Sequence, residues 1–170
     1  MEILLNSLPL ELLLLLCFTI IAFQDLRDRE IHIFPLIGIL CIGSYQAYMM
    51  PFSAISICVK TLLFITFSLG GTYGYLAFKH KAWINPLKNY MGLGDILFFI
   101  AIVPLFNFQN YMLFFISGLL FSVLTYLIFK TFRPKVTTIP LAGLLSIYFF
   151  CVKLLSKVFN FNFLTDSLPL

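Results

Sequence analysis

Apolar runs of about bilayer-spanning length follow one another along this chain, separated by short segments that carry its charges and turn residues. A helix of roughly 20 apolar residues, rising about 1.5 Å per residue, crosses a hydrocarbon core of about 30 Å. Only 11% of the 170 residues are charged, against about 25% in soluble domains. A soluble fold of this size could not keep so many apolar side chains from water. The sequence therefore predicts a polytopic membrane protein.

Charge clusters and turn signals divide the chain into six predicted spans. No connecting segment is long enough for a second folded domain, so we predict one transmembrane domain over residues 1–170. Its expected fold class is all-α, a bundle of six transmembrane helices. The predicted spans are Leu4–Gln24, Ile31–Met50, Phe52–Phe78, Leu93–Phe106, Asn110–Lys130 and Ile139–Leu155.

The basic residues are concentrated in every second predicted loop. Lys and Arg are enriched on the cytoplasmic side of membrane proteins, so these loops predict a cytoplasmic face, with both termini outside. The first segment lacks a basic region before its apolar run, which indicates a retained span and not a cleaved signal peptide. Orientation also explains the net charge of +4 without a nucleic-acid partner, since no clustered basic face is present. Three alternate loops hold eight of the eleven basic residues, namely Arg27 and Arg29, then Lys79, Lys81 and Lys88, then Lys130, Arg133 and Lys135.

Ionisable side chains within the predicted spans are candidates for function, because charge at membrane depth is costly. Glu11 and Lys60 are expected near the outer interface, where Lys60 can reach the headgroups or pair with Glu11. Asp95 is different. It follows Gly92-Leu93-Gly94 and, if its helix reaches the outer boundary near Phe106, it lies about 16 Å below that boundary. The glycines would allow irregular backbone and close approach of another segment, although Asp95 could also simply cap the helix that follows.

Asp25 ends the first predicted span at the same face of the membrane. Two carboxyl groups that meet at a confined site share a proton, so one can act as a base toward water and the other as an acid toward a carbonyl oxygen. This is peptide hydrolysis without a metal or a covalent nucleophile, and we expect no cofactor. Because Asp25 lies shallower than Asp95 in the sequence-based topology, helix tilt or a conformational change is needed to bring them together.

Small residues and sulfur-containing residues inside the spans indicate packing more than chemistry. Gly70 and Gly74 have the spacing of a close-packed transmembrane helix face. The four cysteines form no CxxC pair and the histidines form no HExxH motif, so neither set predicts a metal site. We expect the cysteines to act as small apolar residues.

The two aspartates resemble those of the type IV prepilin peptidases, which are membrane aspartic proteases with six spans. In this family the first catalytic Asp is followed six residues later by Ile and then usually by Pro and Asn. Here Asp25 is followed by Ile31, and the Pro and Asn are replaced by His32 and Ile33.

The second family motif is a Gly-x-Gly-Asp, often preceded by Met, and it matches here as Met91, Gly92, Gly94 and Asp95. Leu97 stands where the family often has Lys. A weaker similarity covers residues 138–143, Thr-Ile-Pro-Leu-Ala-Gly, which resemble an Ile-Pro segment that enters the last span of the family members.

The resemblance implies an endopeptidase of the bacterial cytoplasmic membrane that removes the short basic leader of prepilins or pseudopilins at the cytoplasmic face. Its catalytic pair would be Asp25 and Asp95, supported by the backbone at Gly92 and Gly94. His32 lies beside the pair and is a candidate modulator. The long members of the family carry a cysteine-bearing domain and also methylate the pilin. Nothing in this sequence matches that domain, so a short, peptidase-only form is implied.

Two other functions remain open on the sequence. Presenilin-like intramembrane proteases also use Gly-x-Gly-Asp, but they pair it with a Tyr-Asp, whereas Asp25 follows Gln24 here. A small proton- or ion-coupled transporter subunit could use Asp95 as its membrane carboxyl group, with Asp25 dispensable.

Overall fold

Six α-helices and one turn of 3₁₀-helix make up the computed structural model, which describes residues 2–48, 53–80, 92–132 and 140–158. A 3₁₀ turn, Val103–Leu105, follows the fourth helix. No strand occurs within these four ranges, so the predicted all-α class is confirmed. The helices are α1 (Glu2–Arg27), α2 (Ile33–Tyr48), α3 (Ser53–His80), α4 (Leu93–Ala101), α5 (Phe108–Phe132) and α6 (Leu141–Val158).

Three of the helices are long and apolar enough to cross a membrane, namely α1 over Pro9–Arg27, α3 over Ile55–Tyr75 and α5 over Phe108–Thr131. Helices of this length and hydropathy are typical of membrane proteins. The other apolar helical stretches are shorter, Ile33–Tyr48, Leu93–Leu105 and Leu141–Ser156. The expected span ends Met50, Phe52 and Ile139, together with the basic residues Lys81, Lys88, Arg133 and Lys135, lie outside the described residues.

The helices α1 and α6 pack antiparallel along most of their length. The carboxylate of Asp25, in the last turn of α1, contacts the start of α6 at Gly143. Between the two ends of this pair, the rings of Phe18 and Phe149 stack with centroids 4.0 Å apart. We call the end of the bundle that holds Asp25 the aspartate end.

At the opposite end, the side chains of Glu11 and Lys153 form an ion pair, with Nζ and Oε1 3.3 Å apart. Both side chains are largely covered, with exposed fractions of 32% and 18%. The partner of Glu11 in this ion pair is thus Lys153, whereas Lys60, which the sequence suggested, is exposed on α3.

One face of the short helix α4 and most of the turn after it are buried. Pro104 packs against α2 at Gly43, where an added Cβ would lie 2.9 Å from the Pro104 Cγ atom. Phe106 is only 4% exposed. Protein therefore covers the end of this segment at Phe106.

Close helix packing uses glycines other than those expected. An added Cβ at Gly70 or Gly74 meets no atom within 4 Å, so the predicted face is not packed within the described part of the chain. In contrast, a Cβ at Gly118 of α5 would lie 2.5 Å from the Leu145 Cδ2 atom of α6. Leu145 is fully buried, so its side chain would have to shift within the packed interior. The α5–α6 contact therefore depends on a glycine that the spacing argument did not select.

Gly118→Ala should destabilise the fold by about 1–3 kcal/mol, because the extra methyl group overpacks the α5–α6 contact. Gly70→Ala is the matched control, since its methyl group enters open space. Thermal unfolding of the detergent-solubilised protein should show a lower midpoint for Gly118→Ala and an unchanged or higher one for Gly70→Ala. Equal midpoints for both variants would contradict the packing described here.

Candidate active site

Asp25 lies on the buried face of α1, close to the end of the helix. The buried residues Leu14, Phe18, Ile21 and Asp25 follow one another at spacings of three and four, so they share one side of the helix. Asp25 is only 6% exposed. Its Oδ2 atom accepts a hydrogen bond from the backbone N–H of Gly143, at 2.5 Å. The helical period thus brings a carboxylate into the bundle at the point where an apolar side chain would otherwise continue the core.

Asp95 is the third residue of α4 and does not cap it. The N-cap position is held by Gly92, and no side chain donates or accepts a capping hydrogen bond there. The Oδ1 atom of Asp95 instead accepts a hydrogen bond from the backbone N–H of Ala142 in α6, at 3.1 Å. The alternative that Asp95 only caps its own helix is therefore wrong.

The two carboxylates meet because their donors are consecutive residues, Ala142 and Gly143. Two acceptors bound to neighbouring amides of one chain lie at most about 10 Å from each other. Asp25 and Asp95 also line the same open cleft, whose volume is about 360 Å³. No tilt or rearrangement beyond the described conformation is needed to bring the pair together.

The second glycine of the Gly-x-Gly-Asp motif allows two segments to pack closely. A Cβ at Gly94 would lie 2.9 Å from the Ile31 Cδ1 atom, so the loop after α1 rests directly on the start of α4. Gly92 has an ordinary extended backbone, with φ −67° and ψ 145°. Its backbone therefore does not require glycine, and of the two positions only Gly94 shows the close approach that the sequence predicted.

The loop between α1 and α2 contributes further groups to the cleft. Arg29 and Glu30 line it. His32 is exposed and is not among the residues that line the cleft. Its backbone N–H donates to the Gln24 side-chain oxygen at 3.1 Å, which ties the loop to the end of α1. The role of the His32 imidazole as a modulator stays a prediction.

The first turn of α6 is the part of the site that sequence reasoning missed. Ala142 and Gly143 were noted only within a segment that resembles a family motif. The sequence does contain an indication that this helix start needs acceptors from outside it. Pro140 precedes the helix and has no side-chain acceptor to cap it. The first N–H groups of such a helix need acceptors from elsewhere in the fold, and here two of those acceptors are the aspartates.

Within the described ranges, no group of three or more His, Cys, Asp or Glu side chains is placed to hold a metal ion. The polar side chains that line the cleft are two carboxylates on backbone donors, with Arg29 and Glu30 beside them. Searches with this chain against models of protein families, against curated proteins and against solved structures gave no match. Its functional interpretation therefore depends on the site itself.

A crosslinking experiment tests the proximity of the two aspartates. In a protein whose native cysteines are replaced by Ala, the pair Asp25→Cys and Asp95→Cys should be joined by a bifunctional thiol reagent that spans about 10 Å. The pair Glu11→Cys and Asp95→Cys is the control, since Glu11 lies about 21 Å from Asp25 along α1. Mass spectrometry of the digested protein should find the linked peptides only for the first pair. Equal crosslinking of the two pairs would rule out this geometry.

Proposed function

We propose that this protein is a membrane aspartic endopeptidase of the prepilin-peptidase type. The observation that supports it most is the convergence of Asp25 and Asp95, from separate helices, on consecutive N–H groups beside one open cleft. Residues from α1 and α4 that are 70 positions apart in the chain meet at this place. Paired carboxyl groups at a confined site are the acid and base that metal-free peptide hydrolysis requires.

In the proposed reaction, one aspartate is ionised and the other is protonated. The carboxylate takes a proton from water while the water oxygen attacks the carbonyl carbon of the scissile peptide. The protonated carboxyl group gives its proton to the carbonyl oxygen, which produces a tetrahedral diol. One hydroxyl of the diol then returns its proton to the second aspartate as the C–N bond breaks, and the leaving nitrogen takes the proton held by the first. Both aspartates thus regain their starting states.

The charges around the cleft favour a basic substrate segment. Asp25, Glu30 and Asp95 bring three carboxyl groups to its lining, against the single guanidinium group of Arg29. An excess of negative charge attracts cations and repels anions. This fits the short basic leader of a prepilin or pseudopilin, whose removal is the reaction that the resemblance implies.

The proposal includes a topology of six spans in a bacterial cytoplasmic membrane, with both termini outside and the aspartate end toward the cytoplasm. The shorter apolar stretches in α2, α4 and α6 would then cross the membrane together with α1, α3 and α5. The positive-inside rule supports this orientation, because Arg27 and Arg29 lie at the aspartate end, whereas the segment between α4 and α5 carries no basic residue.

Thiol labelling of intact cells tests the orientation. In a protein without native cysteines, Gln109→Cys should react with a membrane-impermeant maleimide, and Asp28→Cys should react only after the cells are opened. Both positions are exposed, so burial inside the protein does not separate them. The reverse labelling pattern would overturn the proposed topology.

Substitution of either aspartate tests the activity. Asp25→Asn and Asp95→Asn should each lower cleavage of a co-expressed prepilin by at least about 100-fold, because each removes a group that transfers a proton in the reaction. Asp28→Asn is a matched control at an exposed position three residues away and should leave cleavage unchanged. Accumulation of uncleaved precursor in membranes, measured by immunoblot, provides the readout.

Normal processing by both Asn variants would reject the peptidase. Ion- or substrate-dependent flux in proteoliposomes that is lost in Asp95→Asn and retained in Asp25→Asn would assign the chain to the transporters instead. The two functions therefore differ in whether Asp25 is required.

A further inference from the structure

The first turn of α6 has no acceptors of its own for the N–H groups that the site uses. The first hydrogen bond of the helical pattern runs from the N–H of Leu144 to the carbonyl oxygen of Pro140, at 3.1 Å. The N–H groups of Ala142 and Gly143 precede this bond in the sequence, and such groups have no partner within a helix. Pro140 cannot supply a side-chain cap. The two carboxylates take the place of the cap, one on each N–H group.

Consecutive amides of a helix have a fixed separation, so the acceptors they hold are also fixed relative to one another. Asp25 and Asp95 come from different helices, α1 and α4, and both are held by this one donor pair. The donor pair therefore limits how far the two carboxyl groups can move relative to each other. This is the geometric precision that proton transfer between a catalytic pair and one water molecule requires.

Gly143 also controls how closely α1 approaches the turn. A Cβ at this position would lie 3.0 Å from Oδ2 and 3.2 Å from Cβ of Asp25, and 3.4 Å from the carbonyl oxygen of Ala22. Backbone and a buried carboxylate thus occupy the space that a side chain would need. Any residue larger than glycine would push Asp25 away from its donor.

We propose that Ala142 and Gly143 are positioning residues that hold the two aspartates at their working separation through adjacent backbone N–H groups. The catalytic part of this inference depends on the proposed peptidase function. The hydrogen-bonded arrangement itself can be tested without activity.

A proline substitution removes one donor, although at the fully buried Ala142 the ring also adds atoms to the packed interior. Proline is tolerated in the first turn, because the N–H that it lacks makes no intrahelical bond. Ala142→Pro deletes the donor to Asp95. Leu141→Pro is the matched control, because it places a proline in the same turn and keeps both donors.

Ala142→Pro should lower kcat for prepilin cleavage by about 10- to 100-fold, the effect of one hydrogen bond to a charged group, with KM within about twofold of the parent value. Leu141→Pro should keep both constants close to those of the parent.

Gly143→Ala should also lower kcat and leave KM unchanged, whereas Gly70→Ala, whose methyl group enters open space, should change neither. Equal loss of kcat in Ala142→Pro and Leu141→Pro would overturn the positioning role, and so would a change confined to KM.

Amide resonances of the full-length protein in detergent provide the readout that does not require activity. Asp25→Asn should shift the Gly143 amide proton upfield, since a hydrogen bond to a neutral acceptor is weaker, and should move the Ala142 amide proton less. Asp95→Asn should do the reverse. This paired pattern without protease activity would retain the hydrogen-bonded arrangement and reject the peptidase. Unchanged amide shifts in both variants would overturn the inference even if cleavage is observed or Ala142→Pro does not fold.

Discussion

A helix that begins inside a protein carries N–H groups without acceptors in its own first turn, and in apolar surroundings each unpaired group is costly. In α6 two of these donors are the N–H groups of Ala142 and Gly143, and their acceptors come from α4 and α1. Asp25 and Asp95 would be just as costly to bury without donors. The two hydrogen bonds satisfy the N–H donors and the carboxylate acceptors together, and they join three helices at one point. The position of the candidate site and the convergence of the helices therefore have a common physical cause.

The contact between α1 and α6 depends on a second polar interaction as well. An apolar seam between two helices repeats every three to four residues, and it would tolerate a slide by one turn, about 5.4 Å. Such a slide would separate Glu11 from Lys153 at one end and Asp25 from Gly143 at the other. A partly buried ion pair is weak evidence for stability. Both polar contacts form together in the register that places Asp25 beside the α6 turn.

Much of this arrangement could be predicted from the chain alone, because helix formation and burial depend on local pattern. The apolar runs correspond to the helices, and the scarcity of charge singled out Asp25 and Asp95. Contacts between helices could not be predicted in the same way. Gly70 and Gly74 have the spacing of a packing face, but spacing does not say whether another helix lies there. The cover over Phe106 likewise depends on a distant segment, since its ring lies 6.0 Å from that of Phe149 in α6.

The chemistry of the site follows from two opposed electrostatic effects. The N-terminus of α6 carries a positive partial charge and presents two N–H donors, which favours negative charge on the carboxyl groups that face it. Repulsion between neighbouring carboxylates opposes the second negative charge. A pair held at one helix N-terminus therefore favours a single negative charge and a single shared proton. This is the state that a base and an acid acting together on one water molecule would need in the proposed hydrolysis. The same two effects act whether the carboxyl groups serve a peptidase or a proton relay, because both depend only on the helix N-terminus and on the second aspartate beside the first.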